Sequence, residues 1–170
     1  AKEVKRRFPD CIIIFGGAQP PHRPIDYFKK YPFIDITVRG QGEETFSKIL
    51  TALVDKSDLR EIPSMSWRDP VSGECIVNEE ELIFNNDLDR FPSPYLKGLY
   101  DDLIKSRKDL NFQAILETNR GCPFMCTFCY WGMGGLNRKF SFHSIERIKQ
   151  EFEWCGKNGI VYIFNADSNF

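Results

Sequence analysis

Apolar residues follow two alternating rhythms over the first third of the chain. "CIIIF" (residues 11–15) is a continuous apolar run, the pattern of a parallel strand covered on both faces, and Gly16 and Gly17 end it. A Pro-rich turn and a short helix over Ile25–Lys30 lead to a second run, "FIDITV", closed by "RGQGEE". Beyond it Phe46, Ile49, Leu50, Leu53 and Val54 recur at helical spacing, with Glu43 and Glu44 at the positive N-terminal end of that helix. Strand, turn and helix, repeated twice, predict an open parallel sheet of the α/β class. Ligands of such sheets settle beyond the carboxyl ends of the strands, so both glycine turns lie where a ligand would bind. Paired glycines also serve tight turns without any ligand, and the two glutamates serve equally as helix N-terminal charges; both readings stand at this point.

The pattern changes at residue 57. "SWRDPVSGECIVNEE" sets a Pro and a Ser-Gly turn between short strand-like runs, and "FPSPYLKGLYDDL" is irregular and Pro-bounded, so residues 57–111 are expected to form a linker with a hairpin. From Gln113 the alternation resumes. A strand through "QAIL" leads to a cysteine-rich loop, then a helix capped by Ser144 runs to Cys155 and is stopped by Gly156, and the strand "IVYIF" leads into "NADSNF". The expected segments are therefore 1–56, 57–111 and 112–170.

Composition narrows the class. With 42% hydrophobic residues, 170 residues bury a substantial core. Twenty-three basic residues against 24 acidic ones, with no block of either sign, leave no footprint for gripping a nucleic-acid backbone. No apolar run approaches the roughly 20 residues that span a bilayer, and no secretory signal is recognisable, so a soluble, cytoplasmic protein is expected.

Six cysteines in such a chain direct attention to metal or catalysis before disulfides. Cys11, opening "CIIIF", and Cys155, on the helical stripe Ile145, Ile148, Phe152, Cys155, read as small core residues, and Cys75 as a hairpin strand residue. The other three crowd one loop. "ETNRGCPFMCTFCYWG" (117–132) sets Cys122, Cys126 and Cys129 in CxxxCxxC spacing. A structural zinc site closes its tetrahedron with four protein ligands, usually in two pairs, and no second pair is visible; His143, in "FSFHS" before a helix, reads as a surface or capping residue. A ferredoxin supplies four cysteines to a cubane cluster. Three thiolates on one loop suggest a four-iron cluster with one iron left open to a small molecule. Phe124, Met125 and Phe128 would shield it from water, while Gly121 and Pro123 would shape the loop. Its position after a strand is where α/β barrels do chemistry. A zinc module that binds a partner and a simple electron-transfer protein remain alternatives.

The loop resembles the signature of the radical S-adenosylmethionine superfamily. In that family the open iron holds the amino and carboxylate groups of S-adenosylmethionine, and an electron from the cluster splits the sulfonium to give a 5′-deoxyadenosyl radical. The resemblance implies that Cys122, Cys126 and Cys129 are ligands of a [4Fe-4S] cluster and that Phe128 lies near the adenine. It extends to "RKFSFHSIERIKQEFEWCGKNGIVYIFNADSNF", which looks like the first βαβ unit of the subgroup carrying a cobalamin-binding domain ahead of a partial TIM-like radical barrel. Asp167, Asn169 and Phe170 match that subgroup's turn after the second strand, which implies Asp167 and Asn169 as S-adenosylmethionine contacts. Many other members carry Gly-Gly-Glu near this point for the methionyl amino group, and this departure leaves that contact unassigned here. "FPSPYLKGLYD" is similar to the interdomain linker, and "IIIFGGAQPP" with "ITVRGQGEETF" looks like the last two strand-loop units of a Rossmann-like cobalamin fold. By resemblance Gly16 and Gly17 lie against the cobalamin nucleotide tail, and Gly40, Gly42 and Glu43 near the corrin edge.

The implied cofactors are the [4Fe-4S] cluster, S-adenosylmethionine and cobalamin. The implied activity is methyl transfer to an unactivated carbon or phosphorus centre of a small-molecule or peptide substrate, with electrons from a flavodoxin or ferredoxin. A cyclisation or other rearrangement with the same cofactors is the alternative within the family; neither nucleic acid nor membrane is an expected partner. The Asp-x-His-x-x-Gly segment of the cobalamin fold is absent, and His22, in "PPHRP", does not replace it. Nor do the later barrel strands follow. These 170 residues are therefore expected to be a fragment, poorly stable by itself because of open strand edges, and inactive.

Overall fold

The computed structural model describes residues 1–17, 20–21, 23–80, 86–124, 126–129 and 140–169, and the chain divides into two compact units, Ala1–Phe84 and Asn85–Phe170. His22, Met125 and Phe170, singled out above, lie outside the described residues.

In the first unit four strands form one sheet in the order β1 (Ile14–Phe15), β2 (Ile36–Val38), β3 (Met65–Arg68), β4 (Cys75–Val77). β1 and β2 are parallel, with Ile14 opposite Ile36, as the strand-turn-helix repeat requires. β3 and β4 are antiparallel additions, Ile36 standing opposite Trp67 and Val38 opposite Met65. The sheet is thus mixed. The hairpin expected in the linker is part of the first unit's sheet, because Met65 and Trp67 alternate onto the same apolar face as Ile36 and Val38. Residues 57–84 belong to the first unit and residues 85–111 to the second.

Three helices accompany this sheet: α1 (Lys2–Arg7), α2 (Ile25–Lys30) and α3 (Glu43–Asp55). α3 packs Ile49 and Ala52 against Ile36, Val38, Ile62, Met65 and Trp67, with Leu53 at the margin. Phe46, Leu50 and Val54, expected on that face, are exposed. The helix turns its small side inward: Thr45 and Ala52 flank Ile49 and allow a close approach to the strands. "CIIIF" is also shorter as a strand than its apolarity suggests. Only Ile14 and Phe15 pair, and Cys11 and Ile12 are exposed, so Cys11 is not a core residue. Asp35 explains where pairing begins: its carboxylate accepts the Ile13 N–H at 2.7 Å and pairs with Lys5 Nζ at 2.9 Å, and that ammonium also donates to the Cys11 carbonyl.

In the second unit β5 (Gln113–Leu116) and β8 (Tyr162–Asn165) are parallel, Gln113 opposite Tyr162 and Leu116 opposite Asn165. The connection runs through α5 (Ile145–Lys157), the expected βαβ unit. Ala114, Leu116 and Cys155 form the core, with Trp154, Ile160, Ile163 and Tyr95 packed on it. Ser144 caps α5 as anticipated, its hydroxyl accepting the Arg147 N–H at 3.1 Å. The helix passes through Gly156, however, and ends at Lys157. The chain turns where Asn158 donates to the Trp154 carbonyl and Gly159 takes φ +66°, a conformation open to glycine. The inward stripe differs too: Ile145 and Phe152 are exposed, while Glu151 is buried and accepts from Arg147 at 2.7 Å. The unit also contains a 3-10 turn at Leu88–Arg90 and α4 (Asp101–Ser106).

Candidate metal centre and glycine turns

β5 delivers the chain to the cysteine loop, and the way it ends sets the base of that loop. Two residues beyond it, β6 (Asn119–Arg120) pairs antiparallel with β7 (Ser141–Phe142), so the loop departs and returns through a two-residue ladder. The His143 N–H extends the ladder by donating to the Thr118 carbonyl at 3.0 Å. The returning side is anchored by Asp89, whose Oδ1 lies 2.9 Å from His143 Nδ1 and accepts the Ser144 N–H at 3.2 Å. Asp89 thus holds the His143 ring through Nδ1 as part of the returning side. Hydrogen bonding holds the Asp89 carboxyl below the usual carboxylate range: the Ser144 side chain contributes most, burial opposes it, and His143 and the Ser144 amide add to it.

The departing side is anchored by the turn after β8. Asp167 accepts the Thr118 N–H at 2.6 Å, the Asn119 N–H at 3.1 Å and the Thr118 hydroxyl. Burial disfavours its charge, yet these bonds and one involving Asn165 outweigh it and hold the carboxyl below its ordinary value. Ser168 Oγ donates to the Gly121 carbonyl at 2.6 Å, and Asn119 Nδ2 to the Asn169 carbonyl at 3.1 Å. Residues 167–169, implied above as cofactor contacts, thus grip the residues that lead into Cys122.

Gly121 takes φ +96° immediately before Cys122, a turn that suits glycine. Cys126 and Cys129 share a bend closed by the Cys129 N–H donating to the Cys126 carbonyl at 3.1 Å. All six cysteines are free thiols; Cys126 is exposed and Cys122 and Cys129 are half-buried. Phe124 and Phe128 are exposed beside them. Among the described residues no three candidate ligands are gathered into a metal cage. The donor set nonetheless fits an iron–sulfur cluster in kind and number: three free thiols within eight positions, on a loop anchored at both feet.

In the first unit the glycine turns close β1 and β2. Gly17 and Gly40 adopt φ of +80° and +68°, and a Cβ on Gly16, Gly17 or Gly40 would meet nothing within 4 Å among the described residues. The backbone is therefore open to close approach there, as a bulky ligand such as a corrin would need. Gly42 differs: its Cβ would stand 3.3 Å from Val38 Cγ1, so its absence serves the packing of α3, which begins at Glu43, on β2.

Sequence reading missed Arg39 and Asn78. Arg39 is buried at the end of β2 and donates to Ser66 Oγ at 2.5 Å and the Asn78 carbonyl at 2.9 Å. Burial lowers its affinity for the proton, with Glu80 opposing, but a guanidinium remains charged. Together they fix the hairpin beside the strand that ends at Gly40. A charged residue following a buried strand was the available signal.

No protein-family model matches the chain. Over its whole length, however, it is 36% identical to the cobalamin-dependent radical SAM methyltransferase TokK of Streptomyces tokunonensis, covering 25% of that protein. The chain is a relative of the cobalamin-dependent radical S-adenosylmethionine enzymes. An anaerobic magnesium-protoporphyrin IX monomethyl ester cyclase of Synechocystis is 29% identical over 98% of the chain and 32% of that protein. Among solved structures, the cobalamin-dependent S-adenosylmethionine radical enzyme OxsB superposes with a TM-score of 0.67 at 26% identity, over 99% of the chain and 23% of OxsB. The resemblance first read from the cysteine loop therefore extends through both units, as does the α/β fold class. The chain spans about a quarter of the length of the curated radical SAM relatives it matches first.

Proposed function

We propose that the chain carries the cluster loop and part of the cobalamin site of a cobalamin-dependent radical S-adenosylmethionine methyltransferase. The observation that carries the reading is the similarity of the whole chain to a quarter of such methyltransferases, combined with three free thiols on a loop anchored beyond the parallel pair β5 and β8. Cys122, Cys126 and Cys129 would hold the cluster, leaving one iron for S-adenosylmethionine, and Phe128 would lie near its adenine. Gly16, Gly17 and Gly40 would let cobalamin approach the backbone, with Gly42 and Glu43 behind the second turn. When bound, the cluster supplies the electron that cleaves S-adenosylmethionine, and cobalamin carries the methyl group.

The chain's own residues bind and orient. The ladder between β6 and β7 fixes where the loop departs and returns, Asp89 and His143 secure the returning side, and the open glycine turns leave room for a macrocycle. An external low-potential donor, a flavodoxin or ferredoxin, would deliver electrons to a cytoplasmic enzyme acting on a small molecule or peptide.

Product analysis tests the reading. Incubated anaerobically with reductant, S-adenosylmethionine, cobalamin and candidate substrates, the protein should yield both 5′-deoxyadenosine and S-adenosylhomocysteine. The similarity to the cyclase favours a second reading, a rearrangement with the same cofactors, which would yield 5′-deoxyadenosine without S-adenosylhomocysteine.

A further inference from the structure

We propose that Asp167 is a positioning residue for the cysteine loop: it sets the conformation of the segment leading to Cys122 before any S-adenosylmethionine binds. The inference rests on the cluster reading above and assigns Asp167 a different part from that of a cofactor contact.

Geometry carries it. β5 ends at Leu116, and the Ala166 N–H, donating to the Leu116 carbonyl at 2.8 Å, carries the parallel ladder one step past β8. The next residue on that side is Asp167, and the next segment on the other is Thr118–Asn119. One carboxylate accepts two adjacent backbone N–H groups and a hydroxyl from that segment, and the Asp167 N–H is itself held by Asn165 Oδ1 at 3.1 Å. Carboxylate bonds to backbone amides are charge-assisted and directional, so they define the path of the chain more tightly than a neutral contact would. Ser168 adds a bond to the Gly121 carbonyl at 2.6 Å. Every residue from Thr118 to Gly121 is thus restrained, by the Asp167 turn or by the ladder with β7, and Cys122 is the next residue. Three of the roughly four acceptor sites of the carboxylate thus serve this segment, with or without a cofactor.

An isosteric amide is the sharpest perturbation. Asp167→Asn keeps the shape but removes the charge: with its amide oxygen on the Thr118 and Asn119 N–H groups, both bonds lose their charge assistance and an NH₂ group replaces the oxygen that received the Thr118 hydroxyl. Outer-shell groups that orient metal ligands typically matter by about 10-fold in metal affinity, and we expect iron retained by the anaerobically reconstituted full chain against a chelator to fall about 10-fold. Thr118→Val, which removes the hydroxyl's bond to Asp167 and the one it accepts from Asn119 Nδ2 but keeps both backbone bonds, should give a smaller fall in the same direction, and Asp167→Glu should partly restore retention. Thermal melts of the same samples decide whether loss reflects unfolding; should Asp167→Asn unfold, Thr118→Val, with its milder change, carries the test.

Two results would overturn the inference. The first is parental iron retention in a folded Asp167→Asn chain. The second is normal loading together with loss of the paramagnetic resonance change on adding S-adenosylmethionine, which would make Asp167 a cofactor contact. A parent chain that builds no four-iron cluster would instead overturn the cluster reading itself, so the two failures are distinguishable.

Discussion

Asn78 offers a stringent test of how the first unit is held together. It is 8% exposed, and its side-chain amide donates to the Leu59 and Ile62 carbonyls at 2.6 and 2.7 Å while its oxygen receives the Trp67 indole N–H at 3.4 Å. Asn78→Leu keeps the number and branching of the side-chain heavy atoms and the backbone bonds but deletes all three. The Leu59 carbonyl still receives the Ile62 N–H at 3.2 Å, so the Ile62 carbonyl and the Trp67 indole are the groups left wanting. Each of these two orphaned buried groups costs about 2 kcal/mol. Allowing about 1 kcal/mol back for the apolar replacement, a loss of about 3 kcal/mol follows. With a urea dependence of about 2 kcal/mol per molar, the unfolding midpoint should fall by about 1.5 M. Urea titration followed by tryptophan fluorescence and far-UV circular dichroism reads this, and Glu79→Gln at the neighbouring exposed position serves as control. A midpoint shift below about 0.3 M would mean that this polar network does not secure the hairpin.

Other expectations concern the second unit and the thiols. Cys122→Ala, Cys126→Ala and Cys129→Ala should each abolish stable iron loading, whereas Cys11→Ala and Cys75→Ala should leave it at parental level, as measured by iron and sulfide content. Tyr95→Phe should raise amide exchange at Ile115 about 5- to 10-fold, the equivalent of about 1 kcal/mol, because the phenol donates to the Ile115 carbonyl at 2.7 Å and accepts its N–H at 3.1 Å, occupying a place that a neighbouring strand would fill. Because the folded Asp89 carboxyl is held below its ordinary value, its stabilising contribution is present above the usual aspartate range, near pH 4, and is lost as pH falls through the folded value. The difference in melting temperature between the parent and Asp89→Asn should therefore be largest near neutrality and shrink below about pH 4; a gap that stays constant with pH would contradict the bond to His143 and Ser144.

Much of this was legible in residue order because it depends on local chemistry. The helix Ile25–Lys30, the strand in "FIDITV", the Ser144 cap and the βαβ unit of β5, α5 and β8 follow from periodicity and capping alone. The CxxxCxxC spacing pointed to the family without any fold. What sequence did not yield depends on partners distant along the chain. The hairpin joins the first sheet because β2 has an edge for it, a fact invisible in "SWRDPVSGECIVNEE". Cys11 is exposed because pairing starts at Ile14 beside the Asp35 clamp, although its neighbours are as apolar as those of any core strand. Helical spacing grouped Phe46, Leu50 and Val54 with Ile49, but only packing against the sheet selects which side of α3 faces inward. At the site, the bonds of Asp167 to Thr118 and Asn119 run 49 and 48 residues back along the chain, a span that no local pattern reveals.

The central claim is a cluster held by Cys122, Cys126 and Cys129 with one iron free for S-adenosylmethionine. The most direct measurement is electron paramagnetic resonance of the chain reconstituted under argon with iron and sulfide, then reduced, before and after S-adenosylmethionine is added. We expect the signal of a reduced [4Fe-4S] cluster that shifts on addition and disappears when any one of the three cysteines is replaced. A cluster signal indifferent to S-adenosylmethionine, or no four-iron cluster at all, would contradict the account.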